Sequence, residues 1–231
     1  MKKFLASLIL AVSLLVPLGS SYAVYYTDVP ASEYGYYNKL EILAKYSDCL
    51  GADVIEGYPD GSFRPYNNLT REEAAKIIAK IRGLDSLNYS SFVQFKDMDP
   101  NRWSNWYVGN LAGMNIIRGY PDGTFRPTQL VTRAEFARML FLVMDYAYGP
   151  TLYSANYGNY AYNRIIDSYG HWAEDSARYL CSMNVNVDNG TGYFSPDLYI
   201  IRGDAASYTA QLLFELIDNY GYSANMPLYG R

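Results

Sequence analysis

A nine-residue motif that occurs twice almost unchanged is the feature that most constrains the fold of this chain. Residues 57–65 read GYPDGSFRP and residues 119–127 read GYPDGTFRP, a spacing of 62 residues. A second motif follows each copy at the same offset, as residues 70–73 (TREE) and residues 132–135 (TRAE). Self-similarity at a fixed period indicates a repeat architecture, in which stacked units bury a continuous core.

A third, weaker copy lies further along the chain, where residues 192–196 read GYFSP and residues 201–204 read IRGD. The second and third units share a tryptophan, Trp103 and Trp172, whereas the first unit has tyrosines near that position and a longer segment around residues 48–54. An aspartate opens each of the three units: Asp28, Asp97 and Asp167. The first and third units are therefore the divergent ones, as terminal repeats often are.

The residues around these motifs predict that each unit is a helix, a Gly/Pro-rich loop and a second helix. Tyr-Pro-Asp-Gly is typical of a tight turn, because proline presets the backbone angle and aspartate bonds its own backbone. Thr70 and Thr132, each with a glutamate three residues later, predict capping boxes, and apolar residues follow at helical spacing. Residues 103–114 and 172–183 predict a first helix in the second and third units. No strand of useful length stands out, so the expected fold class is all-α.

The N-terminus is typical of an exported protein. Two lysines follow Met1, an apolar run covers residues 4–18, and small residues precede a cut after Ala23, which together predict a secretory signal peptide. The apolar run is too short for a spanning helix, although an N-terminal anchor is the alternative, and no later stretch is long enough to cross a membrane. The two cysteines, Cys49 and Cys181, permit either one disulfide outside the cell or two buried thiols.

The composition disfavours several classes of protein. A net charge of −4 and a pI near 5.0 argue against nucleic-acid binding through a basic surface. A single histidine, His171, cannot build a multi-histidine metal site, and we expect neither a metal nor a cofactor. Tyrosine accounts for 26 of the 231 residues, and this side chain suits core packing as well as wet binding surfaces.

One arginine in each unit breaks a local rule. Arg71, Arg133 and Arg202 fall in the first turn of a predicted helix, where the macrodipole favours acids. Beside free backbone N–H groups, a guanidinium offers a two-pronged site for a carboxylate or phosphate. The alternative is an arginine that pairs with a neighbouring acid and braces the loop. The anion-site interpretation predicts that Arg133→Ala lowers ligand binding more than Lys76→Ala, with both variants folded.

The repeated GYPDGxFRP and TRxE motifs closely resemble the S-layer homology (SLH) domain family over essentially the whole mature chain. The resemblance implies three tandem helix-loop-helix units folded as one pseudo-threefold module, which attaches exported proteins to the bacterial cell wall without a covalent bond. It also implies a secondary cell-wall polysaccharide as ligand, often with a ketal-pyruvate carboxylate, bound in grooves between units. The expected segments are a signal peptide (1–23), three repeats (24–86, 93–148 and 164–220), a linker (149–163) and a C-terminal tail (221–231).

The resemblance also assigns polysaccharide-binding residues by position. They are the arginines Arg71, Arg133 and Arg202, the aspartates Asp28, Asp97 and Asp167, the loop residues Gly57, Tyr58, Gly119 and Tyr120, and the aromatics Trp103 and Trp172. For the two tryptophans, partly buried packing is favoured over ligand contact. Because the third unit lacks the GYPDG core and the first lacks the tryptophan, three equivalent grooves are not expected.

The function that this resemblance implies is cell-wall anchoring by a secreted surface protein, with surface-layer proteins as further partners. One alternative is a structural surface-layer or adaptor protein that uses a Tyr-rich face. Another is a wall-glycan hydrolase, which would need paired carboxylates. Each prominent acid already has a capping or turn role, and neither GxSxG nor HExxH occurs, so we expect that the protein is not an enzyme.

Overall fold

The computed structural model describes residues 26–30, 32, 34–50, 53–83, 92–148, 165–188 and 192–219. The predicted signal peptide, the linker at 149–163 and the C-terminal tail lie outside these residues. Among the described helices, none combines the length and the apolar character that crossing a membrane would need.

Helices make up nearly all of the regular structure in the described residues. They are α1 (Tyr34–Leu50), α2 (Arg71–Ile81), α3 (Asn105–Gly113), α4 (Arg133–Tyr148), α5 (Glu174–Ser182) and α6 (Arg202–Phe214), the last continued by a π-helical turn (Glu215–Asn219). The β-pairing within the described ranges is limited to isolated bridges. The expectation of an all-α fold is confirmed.

The first helices of the second and third units are shorter than the sequence predicts. α3 and α5 each begin two residues after the tryptophan, and neither has a side-chain cap at its start. Two residues beyond the end of each helix lies an asparagine with a left-handed backbone, Asn115 (φ 59°) or Asn184 (φ 55°), a common way to terminate a helix. In the first unit α1 is 17 residues long and ends at Leu50, within the longer segment seen in the sequence.

The predicted capping boxes start α2 and α4. The Thr70 N–H donates to the Glu73 carboxylate (2.9 Å), and the Glu73 N–H donates back to the Thr70 hydroxyl. Thr132 and Glu135 make the same reciprocal pair. α6 begins after Ile201 without a side-chain cap, because the third unit has no threonine at that position.

A cyclic set of backbone hydrogen bonds joins the three units at the centre of the fold. The Leu69 N–H donates to the Ile200 carbonyl, the Ile200 N–H to Val131 and the Val131 N–H to Leu69, each at 3.0 Å. The three side chains are fully buried. We call these three residues the central ring. Because each unit donates to one neighbour and accepts from the other, the hydrogen bonding has an approximate threefold pattern, and no unit completes it alone.

Candidate functional site

The aspartates that open the three units hold the loops rather than face a cleft. The Asp28 carboxylate accepts from the N–H groups of Phe63 and Arg64, both at 2.7 Å. Arg64 has a left-handed backbone (φ 58°), a conformation that non-glycine residues seldom adopt, and the carboxylate pairs the N–H groups exposed by this bend. Asp97 and Asp167 make the same two bonds, at 2.7 Å, in their own units.

The GYPDG turns form as the sequence predicts. In the second unit the Gly123 N–H donates to the Tyr120 carbonyl, and Gly123 has a φ of 82°. The Asp122 carboxylate accepts hydrogen bonds from the hydroxyl and N–H of Thr124 and from Arg126. These bonds, those from Thr124 most strongly, lower the pKa of Asp122 to about 2. The Arg126 guanidinium stacks on the Tyr120 ring at 3.7 Å. Arg126, the arginine of the GYPDGTFRP motif, therefore stabilises its own turn.

The helix-start arginines are buried and cross from one unit to the next. Arg71 is 5% exposed. Its Nε donates to the Phe125 carbonyl (3.1 Å), its Nη2 donates to the Arg118 carbonyl (3.0 Å), and its Nη1 pairs with Glu135 (3.1 Å). Both ends of the guanidinium are therefore engaged by protein atoms of the second unit.

The other two arginines repeat this pattern around the fold. Arg133 donates to the carbonyls of Phe194 (2.6 Å) and Val187 (2.7 Å) and pairs with Asp204 of the third unit. Arg202 returns to the first unit, where its partners are Phe63, Glu56 and Glu73. Of the two interpretations left open by the sequence, this geometry matches the brace between units.

Two clefts lie where neighbouring units meet. The cleft that we call the Arg118 groove has a volume of about 570 Å³ and is lined by Arg71, Ile116, Ile117, Arg118, Glu135, Arg138, Met139, Leu142 and Trp172. The cleft that we call the Glu56 groove has a volume of about 650 Å³ and is lined by Val54, Ile55, Glu56, Gly57, Tyr58, Glu73, Lys76, Ile77, Trp103 and Arg202.

The two grooves are built from equivalent positions of successive units. Each has a brace arginine, a basic side chain on the second helix (Arg138 or Lys76) and a tryptophan from the following unit. Trp172 is 61% exposed and Trp103 is 52% exposed. More of each indole is open to solvent than the favoured partly buried packing implies. A flat apolar surface thus lies beside a cation in each groove.

At the third junction, between the third unit and the first, two tyrosine side chains donate hydrogen bonds to the third unit. Tyr208, on α6, is 1% exposed and donates its hydroxyl to the Val187 carbonyl (2.8 Å). Tyr36, on α1, donates to the Asp204 carboxylate (3.1 Å). Burial is the largest cause that raises the pKa of both phenols, so both remain protonated donors. Ser207 stands where the grooves have a basic residue.

The structure therefore places the sequence-predicted site residues in different surroundings. Six line a groove: Arg71 and Trp172 in one, and Arg202, Gly57, Tyr58 and Trp103 in the other. The three aspartates hold loops, and Arg133 lies at the third junction. Gly119 and Tyr120 belong to the turn next to the Arg118 groove. A Cβ added at Gly119 would lie 2.3 Å from the Phe95 ring, so the close packing of this ring accounts for the glycine at position 119.

Sequence reasoning missed the charged side chains that distinguish the grooves. Lys76 and Arg138 occupy the same position of successive units, five residues after the helix-start arginine, and this shared basic character was the available signal. Glu56 and Arg118 occupy a second pair of equivalent positions and carry opposite charges. Because they precede the GYPDG motif, nothing in the motif itself draws attention to them.

Several curated proteins are similar to this chain. A cellulosome-anchoring protein of Acetivibrio thermocellus is 39% identical over 158 residues, which cover 68% of this chain and 34% of that protein. A Bacillus anthracis protein named as an uncharacterized cell wall amidase is 29% identical over 166 residues, which cover 68% of this chain and 28% of that protein. The S-layer protein EA1 of Bacillus anthracis is 28% identical over 180 residues, which cover 76% of this chain and 19% of that protein. The chain therefore spans about a third or less of the length of these relatives.

The sequence model of the S-layer homology domain matches residues 25–75 and 94–137. Each matched segment contains an opening aspartate, an intact GYPDG turn and the start of the capped helix that follows. The matches thus coincide with the two well-preserved copies of the repeat. The chain carries S-layer homology domains at these two segments, and the resemblance read from the motifs is confirmed.

Proposed function

We propose that this protein attaches non-covalently to the bacterial cell wall by binding an anionic secondary wall polysaccharide, with a pyruvylated sugar as the expected acidic group. The observation that carries the proposal is the pair of equivalent grooves, each of which combines a basic side chain with a tryptophan that is more than half exposed. A carboxylate pairs with a guanidinium or ammonium group, and an indole offers an apolar face to a sugar ring.

We further propose that residues 164–220 form a third unit of the same kind. Asp167 holds its loop as Asp28 and Asp97 hold theirs, and Arg202 braces it to the first unit. The family matches and the surface-layer relative support a location at the cell surface.

Binding fits the grooves better than catalysis. The Glu135 carboxylate pairs with Arg71 and caps α4, and the Glu73 carboxylate caps α2 and lies 3.7 Å from Arg202. A glycosidase acid or nucleophile must be free to act on the sugar, whereas Glu73 and Glu135 each cap a helix and lie beside a brace arginine. The third glutamate that lines a groove, Glu56, pairs with Lys76. The relative named as a cell wall amidase matches this chain over only 28% of its own length, so most of that protein lies outside the similarity.

The proposed function predicts that residues 24–231 pellet with native wall sacculi of the producing organism and stay in solution when the secondary polymer has been removed by acid. Equal pelleting with stripped peptidoglycan would contradict polysaccharide binding. The alternative surface-layer role rests on exposed tyrosines outside the grooves, Tyr66, Tyr169, Tyr193 and Tyr199. Sedimentation of the free protein separates the two, because a monomer supports anchoring and large assemblies support the surface-layer role.

The exposed groove tryptophans lead to a second prediction. Trp172→Ala should lower affinity for soluble wall polysaccharide about two- to tenfold, because the sugar loses the apolar face of the indole. Trp106→Ala is the matched control, since Trp106 is 42% exposed and lies outside the residues that line either groove. Affinity is measured by calorimetry on variants with unchanged melting temperatures. Equal losses for the two variants would remove the tryptophan from the binding surface.

A further inference from the structure

Two of the three arginines that line the Arg118 groove, Arg118 and Arg138, are not neutralised by nearby carboxylates. Arg138 donates to the Ser176 hydroxyl (3.3 Å) and lies 4.9 Å from the centre of the Phe141 ring. Arg118 uses its backbone carbonyl to accept from Arg71 and has an exposed side chain. Within the described part of the chain, neither Arg118 nor Arg138 forms an ion pair. The one carboxylate that lines this groove, on Glu135, is paired with Arg71.

The Glu56 groove has the opposite arrangement at the equivalent position. The Lys76 ammonium lies 3.0 Å from the Glu56 carboxylate, whose side chain is 51% exposed. A second carboxylate, on Glu73, lies 3.7 Å from the Arg202 guanidinium. Each cation of this groove therefore has an acidic neighbour, and an incoming carboxylate would meet Glu56 at the mouth of the cleft.

We propose that the two grooves differ in their preference for charge: the Arg118 groove selects the acidic sugar of the wall polysaccharide, and Glu56 makes the other groove bind it weakly. This inference rests on the proposed function. The grooves have similar volumes, equivalent tryptophans and equivalent brace arginines, so the charge at the position shared by Arg118 and Glu56 is the main difference between them. The residue at this position determines which groove takes the anion.

The test is calorimetric titration of the full mature chain with oligosaccharides released from walls of the producing organism, used as released and after chemical reduction of their carboxylates. The acidic fragments should show one tight and one weaker site, and the reduced fragments should lose the tight site. Arg118→Glu should weaken the tight site about two- to fivefold, the range of exposed charge contacts, and Glu56→Arg should strengthen the weak site by a similar factor. Raising the salt concentration should reduce the difference between the sites.

Lys45→Glu is the matched control for Arg118→Glu, because it changes the net charge equally at an exposed position of α1 away from both grooves. A wild-type protein with two sites of equal affinity, or a Glu56→Arg variant with an unchanged weak site, would overturn the inference while leaving the proposed function intact. Failure of the wild-type protein to bind either kind of fragment, or to pellet with native walls, would overturn both.

Discussion

Arg133→Ala should lose about 3–5 kcal/mol of its free energy of unfolding, the usual cost of removing one partner of a buried ion pair. Arg133 is 4% exposed, and its guanidinium bonds the Phe194 and Val187 carbonyls and the Asp204 carboxylate. The substitution removes one donor from each of these three acceptors in a buried site, although the Val187 carbonyl keeps the Tyr208 hydroxyl and the Asp204 carboxylate keeps the Tyr36 hydroxyl. Since a domain has about 5–15 kcal/mol of total stability, the loss should lower the melting temperature markedly.

Arg118→Ala provides the control, because the Arg118 side chain is exposed while its carbonyl, which accepts from Arg71, is kept. Its thermal melt, followed by circular dichroism, should match that of the wild-type protein. An Arg133→Ala melt that also matches wild type would show that the brace contributes little. If Arg133→Ala is destabilised as expected, its reduced wall binding follows from unfolding. The sequence alone instead predicts a folded variant with a damaged anion site.

This difference shows what the sequence could and could not predict about the site. The motifs identify Arg71, Arg133 and Arg202 as special, because an arginine in the first turn of a helix opposes the macrodipole. Their partners are carbonyls and carboxylates of another unit; Arg71 and Phe125, for example, are 54 residues apart. No local sequence pattern predicts whether such an arginine contacts a ligand or a neighbouring unit.

The fold was more predictable than the site for a physical reason. Capping boxes and helical spacing act within a few residues, so Thr70 and Thr132 identify the starts of α2 and α4 from local sequence. The grooves arise between units, where residues distant in sequence come together. Trp172 lines the same cleft as Arg118 and Arg138, and the charge at position 118 matters only once that cleft exists.

A fragment of residues 24–148 should fail to fold cooperatively, although it contains both matched S-layer homology segments. It lacks Ile200 of the central ring, so the Leu69 N–H and the Val131 carbonyl lose their partners. It also lacks all three partners of Arg133. Finally, it removes α6, against which α1 packs through the Tyr36 ring. Each loss exposes apolar surface or leaves a buried polar group unpaired, and together they should exceed the stability that a two-unit fragment can retain.

The measurement is thermal unfolding of the fragment beside residues 24–231, with hydrogen exchange at the N–H groups of Leu69 and Val131. The longer chain should melt in one cooperative transition and protect both amides, because the central ring is complete. The fragment should show a broad, weak transition and rapid exchange. A sharp melt for the fragment near the temperature of the longer chain would mean that two units complete a core without the third. In that case the approximate threefold hydrogen bonding would be a consequence of repetition rather than a requirement for folding.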